Sequence, residues 1–305
     1  MLLSLVADSQ PPMTFVHRRA KLRFMMFKTL IDVESLRAQL HNPRLAVVDC
    51  RFDLMNPEAG RQAYLSAHIP GARYADINRD LAGPVEAHSG RHPLPAPDPF
   101  ATRLGAIGIG NDTQVIAYDD ADGSFAARLW WMLRWMGHGA VAVLDGGFKA
   151  WTARGGALQS GEAANHTERF TPRIDAKAVL STAELEHALR DPKSLLVDAR
   201  AQQRFAGTVE PIDSVAGHIP GAVNHPITLN LDADSRFLPA GELKRRWQQR
   251  LAGKDPKNLV AMCGSGVTAC HNLLSLEVAG LTGGKLYAGS WSEWIRDPRR
   301  PIARG

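Results

Sequence analysis

The feature that most constrains this chain is that its sequence runs twice. "LAVVDCR" (45–51) returns as "SLLVDAR" (194–200), and "AHIPGA" (67–72) returns as "GHIPGA" (217–222). "QVIAYDDADGSFAARLWWM" (114–132) lines up with "NLVAMCGSGVTACHNLLSL" (258–276), and "LDGGFKAW" (144–151) with "YAGSWSEW" (287–294). The order is kept while the offset drifts from about 150 to 143 residues, as it does when loop lengths differ between copies of one fold. A repeat of that length makes two like domains, in keeping with a chain of 305 residues, rather than a solenoid of short units. The expected boundaries are a first domain over 26–152, a linker over 153–178 and a second domain over 179–305. The linker stretch is rich in Gly, Ala and polar residues and has no periodicity. Residues 1–25 match nothing in either copy. Their Arg-rich part follows the apolar part, the reverse of a secretory signal. A basic, acid-poor leader of this kind fits an organelle-targeting segment or, the plainer reading, a start assigned too early.

Within each copy, short runs that are apolar at consecutive positions ("LAVVD", "QVIAY", "VAVLD") alternate with longer stretches of helical spacing ("AARLWWMLRWMG", "TAELEHALR", "GELKRRWQQRLAG"). Consecutive apolar residues belong to strands buried on both faces. The expected fold class is therefore α/β: two domains, each a mostly parallel sheet flanked by helices. Ligands of such sheets sit beyond the carboxyl ends of the strands.

The formal charge of +5 suggests a polyanionic partner until the charges are placed. Residues 1–28 carry +4 and residues 296–305 carry +3, which leaves the body of the protein at −2. No basic stripe interleaved with aromatic residues is present, so nucleic acid is not the expected partner. No apolar run is long enough to span a membrane. Three cysteines, Cys50, Cys263 and Cys270, cannot form a disulfide framework and point to a reducing, cytoplasmic setting.

Cys263 is the exception among them. An apolar strand-like run delivers it into the turn Gly264-Ser265-Gly266, after which a helical pattern begins near Val267 or Thr268. A thiol attacks as its thiolate, so its surroundings have to favour negative charge. No charged side chain lies in this turn. Bare amides of a glycine turn and of a helix N-terminus can supply the cradle instead. Cys270, seven residues on, and Cys50, at a strand end, read as core. In the first copy Asp119 of "DDADGSF" (119–125) stands at the position of Cys263. A carboxylate cannot accept sulfur, and a nest shaped for anions is expected to repel it, so the first domain should be catalytically silent.

A cysteine phosphatase needs an Arg after five intervening residues, and Ala269 stands there. A thiol peroxidase generally carries a resolving cysteine on another scaffold. "CGSGVTAC", the paired "HIPGA" segments, "GSWSEW" and the Asp-bearing first copy together resemble the tandem-domain rhodanese family of sulfurtransferases, over about residues 30–300. What the resemblance implies is a ping-pong reaction without metal or organic cofactor. The thiolate takes a sulfane sulfur as a persulfide and passes it to a thiol such as thioredoxin or glutathione, or to cyanide. The neutral loop resembles the 3-mercaptopyruvate branch (CGSGVTAC or CGTGVTAC) rather than the thiosulfate branch (CRKGVTAC). Thiosulfate as donor, and a non-catalytic binding module, are the alternatives.

The resemblance also implies roles. Cys263 is the nucleophile, and Gly264, Gly266, Val267 and Thr268 build the cradle for the substrate sulfur. Arg200 and Arg204, in "DARAQQRFAGT" (198–208), are expected to hold the donor's carboxylate and carbonyl. Ser265 would contact the donor or relay a proton together with His68 of "AHIPGA", with Asp53 or Glu58 as unassigned acid partners. Ser290 and Trp291 would pack beneath the cradle. Domains that face each other across one cleft suggest a monomer.

Overall fold

The computed structural model describes residues 26–164 and 166–305; the expected leader lies outside them. The first copy builds a five-stranded, all-parallel sheet from β1 (Leu30–Ile31), β2 (Leu45–Asp49), β3 (Arg73–Tyr74), β4 (Gln114–Tyr118) and β5 (Val141–Leu144), in the order β1-β5-β4-β2-β3. The second copy repeats that order with β6 (Val179–Leu180), β7 (Leu195–Asp198), β8 (Val223–Asn224), β9 (Leu259–Met262) and β10 (Lys285–Tyr287) as β6-β10-β9-β7-β8. All residues of β4 and β9 are buried, as expected of central strands covered on both faces by helices.

Local signals account for the helices. Asp32 caps α1 (Val33–Gln39) by accepting from Ser35 N. A reciprocal capping box between Ser181 and Glu184 starts α6 (Thr182–Ala188). Helix α8 (Ala240–Leu251) buries Leu243, Trp247 and Leu251 at four-residue spacing and is mostly charged or polar elsewhere. In α4 (Ser124–Trp135) ten of the twelve residues are buried, far more than one apolar stripe requires. The reason is its position: it covers the first sheet on one side and packs against α9 (Ala269–Val278) of the second domain on the other. A single apolar cluster, including Trp130 and Leu133 of α4 with Leu273 and Leu274 of α9, therefore runs through both domains.

Among its described residues, 154–175 holds no helix or strand beyond one bridge. It is fixed to the first domain by backbone bonds: His68 and Gln159 exchange two (2.8 and 2.9 Å), and Arg173 N donates to Met136 O (2.8 Å). The C-terminal tail does the same for the second copy through Ala303 and His218.

Candidate functional site

Cys263 follows β9 directly, at the carboxyl edge of a central strand, and is 2% exposed. The Gly266 N–H donates to its Sγ at 3.1 Å. Gly266 is obligatory here for two reasons. Its φ is +79°, and a Cβ would lie 2.3 Å from Ala288 O, at the end of β10. The turn is held from beneath by the segment after β10. Cys263 N donates to Ser290 Oγ (3.1 Å), while Trp291 N and Ser292 N donate to the carbonyls of Cys263 and Gly264 (3.0 and 2.9 Å). Ser290 and Trp291 thus lie under the cradle, where the sequence put them.

In the first copy the corresponding turn closes around a side chain of its own. The Asp119 carboxylate accepts from the N–H groups of Ala121, Gly123, Phe125 and Ala126 at 3.0–3.1 Å. The expected repulsion is therefore wrong in sign: a nest of amides attracts a carboxylate, and Asp119 is the nest's own permanent anion. Burial nonetheless pushes its carboxyl up to about 6.

A cleft of about 960 Å³ opens over Cys263, walled by Phe52, Arg91, His92 and Phe125 of the first domain and by residues of the second, including Arg204, Pro226, Ile227 and the cysteine turn. Ser265 Oγ lies 2.8 Å from Nδ1 of His92, whose Nε2 lies 3.0 Å from Asn78 Oδ1. An amide oxygen facing Nε2 requires the proton there, which leaves Nδ1 to accept from the serine hydroxyl. Burial lowers the His92 pKa to about 4, helped by Arg128 and Arg91, so the ring is neutral at physiological pH.

This corrects the expectation for His68. Its Nδ1 is 2.8 Å from Tyr64 O and its ring stacks on Tyr64, while His218 repeats that arrangement against Phe205. Both "HIPGA" histidines secure a chain crossing. Neither suggested acid, Asp53 or Glu58, approaches the serine's partner, because that partner is His92, and the residue behind it is a neutral amide.

Arg200 is likewise in place but committed. Its guanidinium is bonded to Asp198 and Gly217 O, faces Glu210 and lies over Trp291. Arg51 makes the matching contacts to Asp49, Ala67 O and Phe148 in the first copy. Arg200 is thus tied into the fold through Asp198, Gly217 and Glu210. Arg204 differs. Glu210 and Asp213 fix its Nε and Nη2, and no described residue takes a hydrogen bond from its Nη1. Arg91 reaches the same spot from the first domain, paired to Asp213 through Nη1, with Nη2 free. A Cβ on Gly264 would lie 3.0 Å from Arg91 Nη2 and 3.6 Å from Arg204 Nη1. The turn has no cation of its own because two guanidiniums, one from each domain, already stand beside it.

Val267 and Thr268 carry the turn into α9, and both line the cleft. Cys270 and Cys50 are fully buried, and burial pushes the Cys270 thiol up to about 12, so it stays protonated. Among the described residues no group of three or more His, Cys, Asp or Glu is arranged to hold a metal ion. None of the helices among them is long and apolar enough to cross a membrane.

Sequence reasoning missed Asn78, Arg91, His92 and Arg128. A usable signal was present: "GRHPLPA" (90–96) returns as "SRFLPA" (235–240), with Phe237 where the first copy has His92, whereas His68 faces another histidine.

A cysteine at the carboxyl edge of a parallel sheet, cradled by amides in one of two like domains and replaced by Asp in the other, is the rhodanese arrangement. The chain matches the rhodanese-like domain over residues 32–154 and again over 181–297, and it belongs to that family in its tandem form. It is 51% identical over 278 residues to a probable 3-mercaptopyruvate sulfurtransferase of Pseudomonas aeruginosa, spanning 90% of this chain and 98% of that one. It is 38% identical to a putative thiosulfate sulfurtransferase, SseB, of Mycobacterium tuberculosis, over 86% of this chain and 91% of the other. Among solved structures, 3-mercaptopyruvate sulfurtransferase from Leishmania major superposes with a TM-score of 0.77 at 32% identity, covering 89% of this chain and 76% of that chain.

Buried neutral histidines give the fold an acid sensitivity. His92, His225 and His271 are each held down to about 4, chiefly by burial. Unfolding returns them to about 6.5, so between 6.5 and 4 the unfolded chain binds more protons and stability falls as pH is lowered. Asp119, raised to about 6, acts oppositely, since its folded form binds the extra proton between 3.8 and 6. Burial also raises Asp120 and Asp145 and lowers His138; the four histidines outweigh the three carboxyls, and Tm should be lower at pH 5 than at pH 7. A scanning-calorimetry Tm that is flat or rises toward pH 5 would contradict this account.

Proposed function

We propose that this chain is a 3-mercaptopyruvate sulfurtransferase whose single competent site is built on Cys263, the first domain being catalytically silent. The observation that carries the reading is the pair of unengaged guanidinium edges, Arg91 Nη2 and Arg204 Nη1, beside the amide-cradled thiol. A small keto acid carries one carboxylate, and two converging guanidiniums suit it. With the carboxylate held there, the donor's sulfur is presented to Sγ. The thiolate forms an S–S bond to that sulfur as the donor's C–S bond breaks, and the electron pair goes to carbon as the enolate of pyruvate. The proton of the donor's thiol ends on that carbon, leaving a cysteine persulfide anion and pyruvate. Ser265 and neutral His92, with Asn78 fixing the tautomer, are placed to carry the proton. An acceptor thiol such as thioredoxin or glutathione, or cyanide, then removes the outer sulfur. The slightly negative body supports a small acceptor rather than nucleic acid, and a site shared by two domains of one chain supports an active monomer. The sparse, unpaired cysteines favour the cytoplasm.

Thiosulfate is the second reading, favoured by the same cation pair, which would also receive a dianion. Intact mass distinguishes the two: reduced protein is incubated with each donor separately, and one added sulfur from mercaptopyruvate is expected. A gain from thiosulfate alone would replace the donor, and a gain from neither would remove the reaction. Arg91→Ala and Arg204→Ala should each weaken mercaptopyruvate use by roughly 1.5–3 kcal/mol, read as kcat/KM, since each removes a charged hydrogen bond. Unchanged kinetics for Arg91→Ala would take the first domain out of donor binding.

A further inference from the structure

Arg128, on α4 of the first domain, is 0% exposed, yet no carboxylate among the described residues pairs with it. Buried guanidiniums nearly always have a counter-ion, because leaving one unpaired in a low-dielectric interior is costly. The cleft's other buried cations do have theirs: Arg200 with Asp198, and Arg204 and Arg91 with Glu210 and Asp213. Arg128 instead grips three backbone carbonyls. Its Nη1 donates to Gly266 O (3.0 Å), its Nη2 to His92 O (3.1 Å), and Nη2 and Nε to Leu81 O (3.2 and 3.4 Å). Gly266 is the residue whose N–H holds Cys263 Sγ. One side chain thus ties the segment bearing His92 to the cysteine turn across the domain boundary. Burial holds the Arg128 guanidinium below the usual arginine range, opposed by the sulfurs of Cys270 and Cys263, and the Cys270 thiol is held protonated.

The other copy provides the contrast. Asp122 corresponds to Gly266, and its backbone is approached by His271 of α9, a neutral ring. Arg128 itself corresponds to Asn272, an uncharged side chain bonded to His225 O. Where the cradle holds a permanent carboxylate, the opposite domain presents neutral groups. Where the cradle is left for a passing anion, it presents a cation.

We propose that Arg128 is the buried counter-charge of the anion formed on Cys263 and the positioning residue that keeps His92 in register with the cysteine turn. The inference rests on the persulfide reading above and assigns the silent domain an electrostatic share in that site. Arg128 lies outside the lining of the donor cleft and makes no hydrogen bond to Cys263, so its loss should fall on kcat, on the order of 10²-fold, with the KM for mercaptopyruvate changed less than about threefold. The deciding readout is Tm of the sulfur-loaded protein minus Tm of the unloaded protein, at a mildly acidic pH where a persulfide is ionised and an ordinary thiol is not. Mass spectrometry verifies the loading. In the wild type, loading should raise Tm by roughly 2–4 °C. In Arg128→Met the gain should vanish, and in Arg128→Lys it should persist although kcat falls. A merely structural Arg128 would lower both Tm values together and leave their difference intact, which would overturn the proposal. If Arg128→Met does not fold, Arg128→Gln, which is neutral but can still donate to the backbone carbonyls, decides instead: a lost gain supports the counter-charge and a retained gain refutes it. Failure of the wild type to take up any sulfur would refute the persulfide reading instead, and mass spectrometry shows which has failed.

Discussion

Cys263→Ser is expected to fold as the wild type does and to transfer no sulfur. The side chain sits at a strand end with 2% exposure, its backbone fixed through Ser290 and Trp291, and neither of those bonds needs sulfur. A hydroxyl in the same cradle can still accept from the Gly266 N–H, so Tm should stay close to the wild-type value. Chemistry has no such substitute. The alcohol ionises far less readily than the thiol, and oxygen does not carry a sulfane sulfur as persulfide. Turnover should fall to background and the one-sulfur mass gain should disappear. Cys50 and Cys270 remain in this variant, both buried, so a persisting gain would place the acceptor elsewhere and overturn the site.

Gly266→Ala should be nearly as severe by a different route. The added methyl meets Ala288 O at 2.3 Å, a backbone atom at the end of a strand that cannot swing aside. The left-handed φ adds strain of about 1–3 kcal/mol. Overpacking of this kind adds about as much again. The turn has to move, and with it the N–H that holds Sγ and the carbonyl that Arg128 grips. A loss of about 10³-fold or more in kcat/KM is expected, with a measurable fall in Tm. Gly264→Ala is the control, because its methyl meets only the ends of arginine side chains, which can shift. It should perturb KM more than kcat. Equal tolerance of both substitutions would show that the turn's shape is not what prepares the thiol.

Much of the fold is legible in the sequence because its signals are local. Consecutive apolar residues mark β2, β4 and β5, and four-residue spacing marks α8. The cysteine turn is legible too, since glycines at fixed offsets from a thiol describe a backbone shape. What is not legible is contact between distant segments. Arg91 and His92 meet Cys263 and its neighbours across some 170 residues, and nothing in a run of sequence states such a distance. Two misreadings share one cause. His68 and Arg200 lie in motifs that both copies carry, and both copies use them for the same structural purpose, as His218 and Arg51 show. Cys263 faces Asp119 in the alignment, Arg204 faces Met55, and His92 faces Phe237. In a duplicated chain, agreement between the copies marks architecture, and disagreement marks the place where the work is done.

The filled cradle of the first domain has a consequence for counting. A thiol placed at Asp119 is not expected to create a second catalyst, because the described groups nearest Gly123 of that loop are the stacked rings of Phe237 and His271 rather than a serine–histidine couple. The site is a property of the seam between unlike halves. Duplication gave the molecule two sockets, and divergence left a single set of surroundings, assembled from both. On the reading proposed above, stoichiometry is built into the architecture: one chain, one turnover centre, however many cysteines it carries.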